Sequence, residues 1–131
     1  MSASPKLNQI NIVVSNLDAS IKFYERLGLG FVIDSEHTTH AQCELADGTV
    51  VALDTEAAVA QFTAGWTPPV GGPRVAFAFG LPSADAVDAL YAELVAAGYS
   101  SLREPWSAEW GVRYATVLDP DGIPADLQAA L

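Results

Sequence analysis

One order of strands and a helix occurs twice in this chain, and it limits the possible fold more than any other feature of the sequence. From Leu7 to Val14, apolar and polar side chains alternate, which predicts a strand with one buried face. A helix follows and ends at Gly28 and Gly30. Three further strands complete the first unit at Phe31–Asp34, His40–Leu45 and Val50–Leu53.

The same β-α-β-β-β order restarts at Arg74, an offset of roughly 70 residues. It comprises a strand to Phe79, a helix capped by Ser83, a short strand near Leu102, and two strands at Val112–Leu118 and Ile123–Gln128. Three pairs of residues are predicted to be equivalent: Tyr24 with Tyr91, Gly30 with Gly98, and Asp47-Gly48 with Asp121-Gly122. We therefore predict one α+β domain over residues 1–131, with repeat one at about 5–56, a linker at 57–73 that begins with one short helical turn, and repeat two at 74–131.

Composition excludes several classes of protein. Half of the 131 residues are hydrophobic and 17% are charged, which argues against disorder. Sixteen acidic residues against six basic ones give a net charge of −10, so nucleic acid and anionic membrane surfaces are not expected partners. No apolar run is long enough to span a membrane, and Met1 to Lys6 lacks the apolar stretch of a signal peptide, so we expect a cytoplasmic protein. Cys43 is the only cysteine and is expected to be a small core residue.

Each predicted unit has a sheet with a helix on one face, which leaves the other face free. Two such free faces are expected to form a concave groove that binds a small molecule. On the third strand, His40, Gln42 and Glu44 share one face, so His40 and Glu44 are candidates for an acid–base pair there. Gln9 and Asn11 lie on the polar face of the first strand.

Three stretches of the chain resemble the vicinal-oxygen-chelate superfamily, which includes glyoxalases and bleomycin-resistance proteins. They are Ile12–Leu29, Val75–Phe79 with the helix that follows, and Trp110–Gly122 with its Asp-Pro-Asp-Gly turn. The resemblance implies the fold described above and a symmetric homodimer. It does not fix an activity, because this family contains isomerases, dioxygenases and proteins that only sequester drugs.

The enzymes of this family hold a divalent metal through the first and last strand of each repeat. The resemblance places these positions at Gln9, Ala52, Arg74 and Asp126. Gln9 and Asp126 offer oxygen donors, Ala52 offers none, and Arg74 would oppose a cation. We therefore predict no metal site, and we expect Arg74 to point into the groove and pair with Asp126. If the alignment with the family is off by a residue at one strand, Glu44 or Asp54 could supply a carboxylate to the groove. Asp54 is two residues after Ala52, so the two side chains should point to the same face of the strand.

Large aromatic residues are the strongest candidates for ligand contacts. Trp66 lies in the segment between the repeats, and Trp106 and Trp110 lie in a predicted loop before the strand that carries Arg113. Indole rings beside a groove can stack on planar or cationic molecules. The predicted ligand-binding set is Trp66, Trp106, Trp110, Arg74, Arg113, Gln9, Asn11, His40, Glu44 and Asp126.

The sequence therefore favours a non-catalytic small-molecule binder that resembles the drug-sequestering bleomycin-resistance proteins, with no cofactor and a homodimeric state. The alternative is a metal-dependent lyase, isomerase or dioxygenase that uses zinc, nickel, iron or manganese with Gln9 and Asp126 as two ligands. A third interpretation is a protein of this fold that binds no ligand. Metal analysis and ligand titration separate the three.

Overall fold

The computed structural model describes residues 3–131. The predicted domain begins with Met1 and Ser2, and these two residues lie outside the described part of the chain. The chain forms two compact units, the first ending at Pro69 and the second spanning Val70–Leu131. Each unit contains a four-stranded mixed sheet, called here sheet A in the first unit and sheet B in the second. The predicted α+β fold with two β-α-β-β-β modules is confirmed.

Sheet A has the strand order β1-β4-β3-β2, with β1 and β4 parallel and the remaining neighbours antiparallel. The elements of the first unit are β1 (Gln9–Val14), α1 (Leu17–Glu25), β2 (Val32–Ile33), β3 (His40–Glu44), β4 (Val50–Thr55) and α2 (Glu56–Phe62). The α2 helix occupies the start of the predicted linker, where the sequence predicts one short helical turn.

Sheet B repeats this topology with the order β5-β8-β7-β6. Its elements are β5 (Phe77–Gly80), α3 (Ala84–Ala96), β6 (Ser101–Ala108), β7 (Val112–Leu118) and β8 (Pro124–Ala130). The first strand of this unit begins at Phe77, three residues later than predicted, because Gly71 to Ala76 contain bends and irregular backbone.

A side-chain oxygen caps the N-terminus of α1 and of α3, and the cap of α3 is the predicted Ser83. Asn16 accepts a hydrogen bond from the backbone N–H of Ala19 at 3.0 Å, and Ser83 accepts one from Ala86 at 3.1 Å. These bonds satisfy backbone donors that a helix N-terminus leaves without intrahelical partners. The caps fix where α1 and α3 begin relative to the strands that precede them.

The helices end in the same way in both units, which corrects the predicted equivalences. Gly28 and Gly98 have φ angles of 88° and 100°, and in each case the next residue donates its N–H to the carbonyl of Tyr24 or Leu94, five residues earlier. A residue in this left-handed region after a helix favours glycine, which has no Cβ to clash. Gly28 is therefore the equivalent of Gly98, in place of Gly30, and Tyr24 is the equivalent of Leu94.

A separate apolar layer lies under each sheet. In the first unit, α1 packs on β4 and α2 packs on β1 and β4, and Phe23 and Tyr24 of α1 are almost fully buried with their rings edge to face at 5.0 Å. In the second unit, α3 packs on β7 and β8 through its buried Val87 and Leu94. The strand residues in these layers are Ile12, Val14, Ala41, Val51, Leu53, Ala115, Val117, Ala125, Leu127 and Ala129. The opposite face of each sheet, called here its open face, carries the polar and aromatic residues.

Candidate functional site

The open face of sheet B carries the largest aromatic and polar side chains of its strands. Tyr114 and Thr116 alternate along β7 with the buried Ala115 and Val117, so their side chains leave the sheet on the side away from α3. On β8, Asp126 lies opposite Thr116 in the antiparallel register. The sheet therefore brings two hydroxyl groups and a carboxylate together on one surface.

Three aromatic rings form a continuous cluster on this face, called here the aromatic cluster: Trp106, Trp110 and Tyr114. The rings of Trp106 and Trp110 meet edge to face with centroids 5.2 Å apart, and those of Trp110 and Tyr114 at 6.3 Å. Such arrangements are favourable by about 0.5–1.5 kcal/mol beyond burial of area. Trp110 nevertheless remains 61% exposed, so one large apolar ring is available at the surface.

The position of Trp106 differs from the prediction because it lies within β6 and not in a loop; Trp110 lies in the turn between β6 and β7. Between Arg103 and Trp106 the pairing with β7 shifts by one residue, so Arg103 lies opposite Thr116 and Trp106 opposite Tyr114. This bulge, which contains Pro105, turns both side chains to the open face. The Arg103 guanidinium carbon consequently lies 3.8 Å from the centroid of the Trp106 ring.

Asp126 is the polar centre beside the cluster. Its Oδ1 accepts a hydrogen bond of 2.7 Å from the hydroxyl of Thr116. Burial, together with a hydrogen bond to the Asp126 carboxylate, raises the pKa of Tyr114 to about 12. Tyr114 is therefore a neutral hydroxyl donor across the physiological pH range. Among the described residues, the indole Nε1 of Trp106 is buried without a hydrogen-bond partner.

Neither of the two arginines predicted to line the groove lies on the open face of sheet B. Arg74 precedes β5 by three residues and is exposed, so it lies outside sheet B and, within the described part of the chain, forms no ion pair with Asp126. Arg113 points to the opposite face of β7, where its Nε and Nη2 donate to the carboxylate of Asp88 on α3 at 2.8 and 3.0 Å. Its Nη1 donates to Ser107 at 3.1 Å, so all three nitrogens have partners. The bond to Asp88 raises the pKa of Arg113.

The open face of sheet A is polar. His40, Gln42 and Glu44 lie on one face of β3, as predicted, opposite Asp54, Ala52 and Val50 of β4. His40 contacts Asp54 and not the predicted Glu44: its Nδ1 lies 2.7 Å from Oδ1 of Asp54. On β1, the amide of Gln9 donates a hydrogen bond of 2.8 Å to Asn11.

Strand register gives an internal test of the metal positions. Asn11 lies opposite Ala52 in the first unit, and Ala78 lies opposite Asp126 in the second. The residue two before Asn11 is Gln9, and the residue two before Ala78 is Ala76. The equivalent position is therefore Ala76, which corrects its assignment to Arg74.

This donor set does not fit a divalent ion. Each unit presents one side chain with an oxygen donor, Gln9 or Asp126, and one methyl group, Ala52 or Ala76. Across residues 3–131, the structure contains no group of three His, Cys, Asp or Glu side chains arranged to hold a metal. A divalent cation needs several oxygen, nitrogen or sulfur ligands at once, so we derive no catalytic step through a metal.

The remaining predicted residue, Trp66, follows α2 and is half-buried outside both sheets. Sequence reasoning missed Arg103, Tyr114 and Thr116 as members of the sheet B site. The signal for Tyr114 and Thr116 was present in the alternation of β7, because they share parity with each other and not with Arg113.

Comparison with known proteins identifies the family. The model of the Glyoxalase/Bleomycin resistance protein/Dioxygenase superfamily matches residues 6–127. The chain therefore belongs to this superfamily, which contains both enzymes and proteins without catalytic activity. No curated protein matches the sequence significantly.

Solved structures agree on the fold. A family enzyme from Burkholderia phytofirmans aligns with a TM-score of 0.83 at 18% identity, covering 97% of this chain and 100% of that one. A hypothetical protein from S. aureus aligns with a TM-score of 0.79 at 21% identity, covering 99% and 95%. A glyoxalase-related enzyme from Fulvimarina pelagi gives 0.79 at 24% identity, covering 95% and 87%. Among the described residues, no helix is both long and apolar enough to cross a membrane.

Proposed function

We propose that this protein binds a small planar organic molecule without transforming it, in the manner of the drug-sequestering members of its superfamily. The observation that carries the proposal is the aromatic cluster on the open face of sheet B, with a tryptophan that is 61% exposed at its surface. Exposed large aromatic rings are costly to hydrate, and ligand-binding surfaces use them as stacking platforms.

The cluster offers a defined platform because its members support each other. The guanidinium of Arg103 covers one side of Trp106, and the rings of Trp106 and Trp110 meet edge to face. Trp110 also contacts Tyr114, whose hydroxyl is directed toward Asp126. A planar ligand stacked on Trp110 would therefore have a hydroxyl and a carboxylate within the same surface, and these groups favour ligands with hydrogen-bond donors.

Charge favours a neutral or cationic ligand. Arg113 does not favour an anionic ligand on this face, because Asp88 and Ser107 already engage its donors on the other face of β7. Asp126 lies on the open face, and the chain carries a net charge of −10. On the open face of sheet B, Arg103 contributes a positive charge, and its guanidinium is stacked on the ring of Trp106. The alternative of a metal-dependent lyase or dioxygenase requires donors that Ala52 and Ala76 do not supply.

Isothermal titration calorimetry with two planar probes tests the proposal: proflavine, which is cationic, and 1-anilinonaphthalene-8-sulfonate, which is anionic. We expect proflavine to bind more tightly, and Trp110→Ala to weaken its binding by about tenfold, equivalent to about 1.4 kcal/mol. Trp66→Ala is the matched control, because it removes the same side chain from a residue that belongs to neither sheet. An unchanged dissociation constant in Trp110→Ala, with a folded protein by circular dichroism, would remove the cluster from the binding site.

Metal analysis of protein purified without chelator addresses the alternative. Stoichiometric zinc, nickel, iron or manganese would favour the metal-dependent enzyme over the proposed binding protein. Loading the purified protein with Zn²⁺ before desalting is the control for metal lost during purification, and we expect no stoichiometric zinc to be retained.

A further inference from the structure

A histidine and an aspartate form a close pair on the open face of sheet A, in the unit that does not contain the aromatic cluster. His40 and Asp54 are directly opposite in the register of β3 and β4, and Nδ1 of His40 lies 2.7 Å from Oδ1 of Asp54. Their side chains are 23% and 19% exposed. The pair is therefore partly shielded from water but still reachable from the surface.

The second ring nitrogen of His40 is next to a side-chain amide. Nε2 lies 3.1 Å from Oε1 of Gln42, two residues along the same strand, and this contact is exposed. With Nδ1–H donated to Asp54, a protonated ring donates from Nε2 to the Gln42 oxygen. A neutral ring accepts at Nε2 from the amide N–H₂ after the amide turns over. Both protonation states of His40 are therefore satisfied by the same two neighbours.

The charges around His40 are negative. Asp54 faces it from β4, and Asp34 lies in the segment after β2, where its N–H donates to the backbone carbonyl of His40. Glu44 lies further along the same face of β3, and His37 precedes the strand. The hydrogen bond that the ring donates to Asp54 is the main cause of a raised pKa at His40, so the ring is a stronger base than an isolated imidazole.

We propose that His40 and Asp54 form a metal-independent proton-transfer site for a small organic molecule that presents a weakly acidic hydroxyl group, such as an enol or a phenol. In this step, the ligand hydroxyl replaces Gln42 as the partner of Nε2. The O–H bond breaks, an Nε2–H bond forms, and the electron pair stays on the ligand oxygen. Asp54 balances the imidazolium charge, and the ligand oxyanion accepts a hydrogen bond from Nε2–H. This proposal does not rest on the ligand binding proposed for sheet B.

The probe 4-nitrophenol tests the proposal, because it ionises near neutral pH and only its phenolate is yellow. The titration is made at a pH where the histidine spectra described below show His40 to be neutral, and the absorbance is compared with that of the free probe at the same pH. We expect wild-type protein to raise the phenolate absorbance, and His40→Gln and Asp54→Asn to reduce the apparent affinity for phenolate about tenfold. His37→Gln is the matched control, because His37 is 74% exposed and its Nδ1 is 3.6 Å from Asp34. No rise with the wild-type protein, or an equal rise with His40→Gln, overturns the proposal.

A second measurement uses only the wild-type protein, so it does not depend on whether a variant folds. Long-range ¹H–¹⁵N correlation spectra of the wild-type protein distinguish the two histidines, since Nδ1 and Nε2 of each ring have separate nitrogen shifts. We expect neutral His40 to carry its proton on Nδ1 and to titrate at Nε2. A neutral His40 protonated on Nε2 would contradict the arrangement on which the step depends.

Discussion

Thr116 and Asp126 face each other across β7 and β8, and the threonine hydroxyl donates a 2.7 Å hydrogen bond to the carboxylate. In the metal-binding members of the family, the position of Asp126 is a metal-ligand position. In this chain the Asp126 carboxylate instead accepts hydrogen bonds from hydroxyl groups on the neighbouring strand β7. Sheet B therefore presents a hydrogen-bonding centre beside aromatic rings.

Replacement of Asp126 by asparagine tests how this centre acts on Tyr114. We expect the pKa of Tyr114 to fall from about 12 but to stay above 10.0, because burial is the larger cause of the shift and remains in the variant. Spectrophotometric titration of tyrosinate measures this, with Tyr114→Phe used to assign the signal. Thr116→Val serves as the control, since it removes the other hydroxyl and should leave Tyr114 with a raised pKa. An unchanged titration in Asp126→Asn would show that the carboxylate does not act on Tyr114.

The pair of His40 and Asp54 predicts a pH dependence of stability. The pKa of His40 in the folded protein is raised above its ordinary value of 6.5, so folding tightens proton binding. The resulting stabilisation is complete below the unfolded-state pKa and is lost as the pH rises through the folded-state pKa. We expect a contribution of less than about 1 kcal/mol, because both side chains are partly exposed.

Urea unfolding at a series of pH values, compared with His40→Gln, measures this contribution. The difference in unfolding free energy between the two proteins should shrink as the pH rises above neutrality. His37→Gln should follow the wild-type curve, since the His37 side chain is 74% exposed. A constant difference across the series would mean that the proton on His40 is not linked to folding.

Strand periodicity predicted much of sheet A correctly and less of sheet B. The alternation of β3 placed His40, Gln42 and Glu44 on one face, and the parity of Asp54 with Ala52 placed its carboxylate on that same face; both predictions are confirmed by the register. Period-two reasoning works there because the pairing of β3 with β4 is regular throughout. The partner of His40 was predicted wrongly, as Glu44 in place of Asp54, because cross-strand pairing depends on a register that the sequence of one strand does not contain.

The errors in sheet B have local causes. The bulge between Arg103 and Trp106 adds one residue to β6, so parity along the sequence no longer gives the face of a side chain. Arg74 was assigned to a strand because apolar residues follow it, but the strand begins only at Phe77. Counting back two residues from Ala78 identifies the equivalent position, and this is possible only once Ala78 is known to pair with Asp126.

Glycine substitutions test the equivalence of the two helix ends. Alanine at Gly28 or Gly98 should destabilise the protein by about 1 kcal/mol each, because both residues have positive φ and nothing else crowds the added Cβ. Gly30→Ala is the matched control, since Gly30 has open space around it and no positive φ. Chemical denaturation measures all three. A loss at Gly30 as large as that at Gly28 would restore the original pairing of Gly30 with Gly98.

Two leucines of the second unit test whether the layer under sheet B stabilises the fold. Leu94 on α3 is fully buried, whereas Leu102 on the edge strand β6 is 61% exposed. Leu94→Ala should cost about 2–5 kcal/mol, because it removes buried methyl groups and leaves a cavity between α3 and the sheet. Leu102→Ala makes the same chemical change at the surface and should alter stability by no more than about 0.5 kcal/mol. Equal losses, measured by urea unfolding, would contradict the placement of α3 on β7 and β8, because that packing is what distinguishes the surroundings of the two leucines.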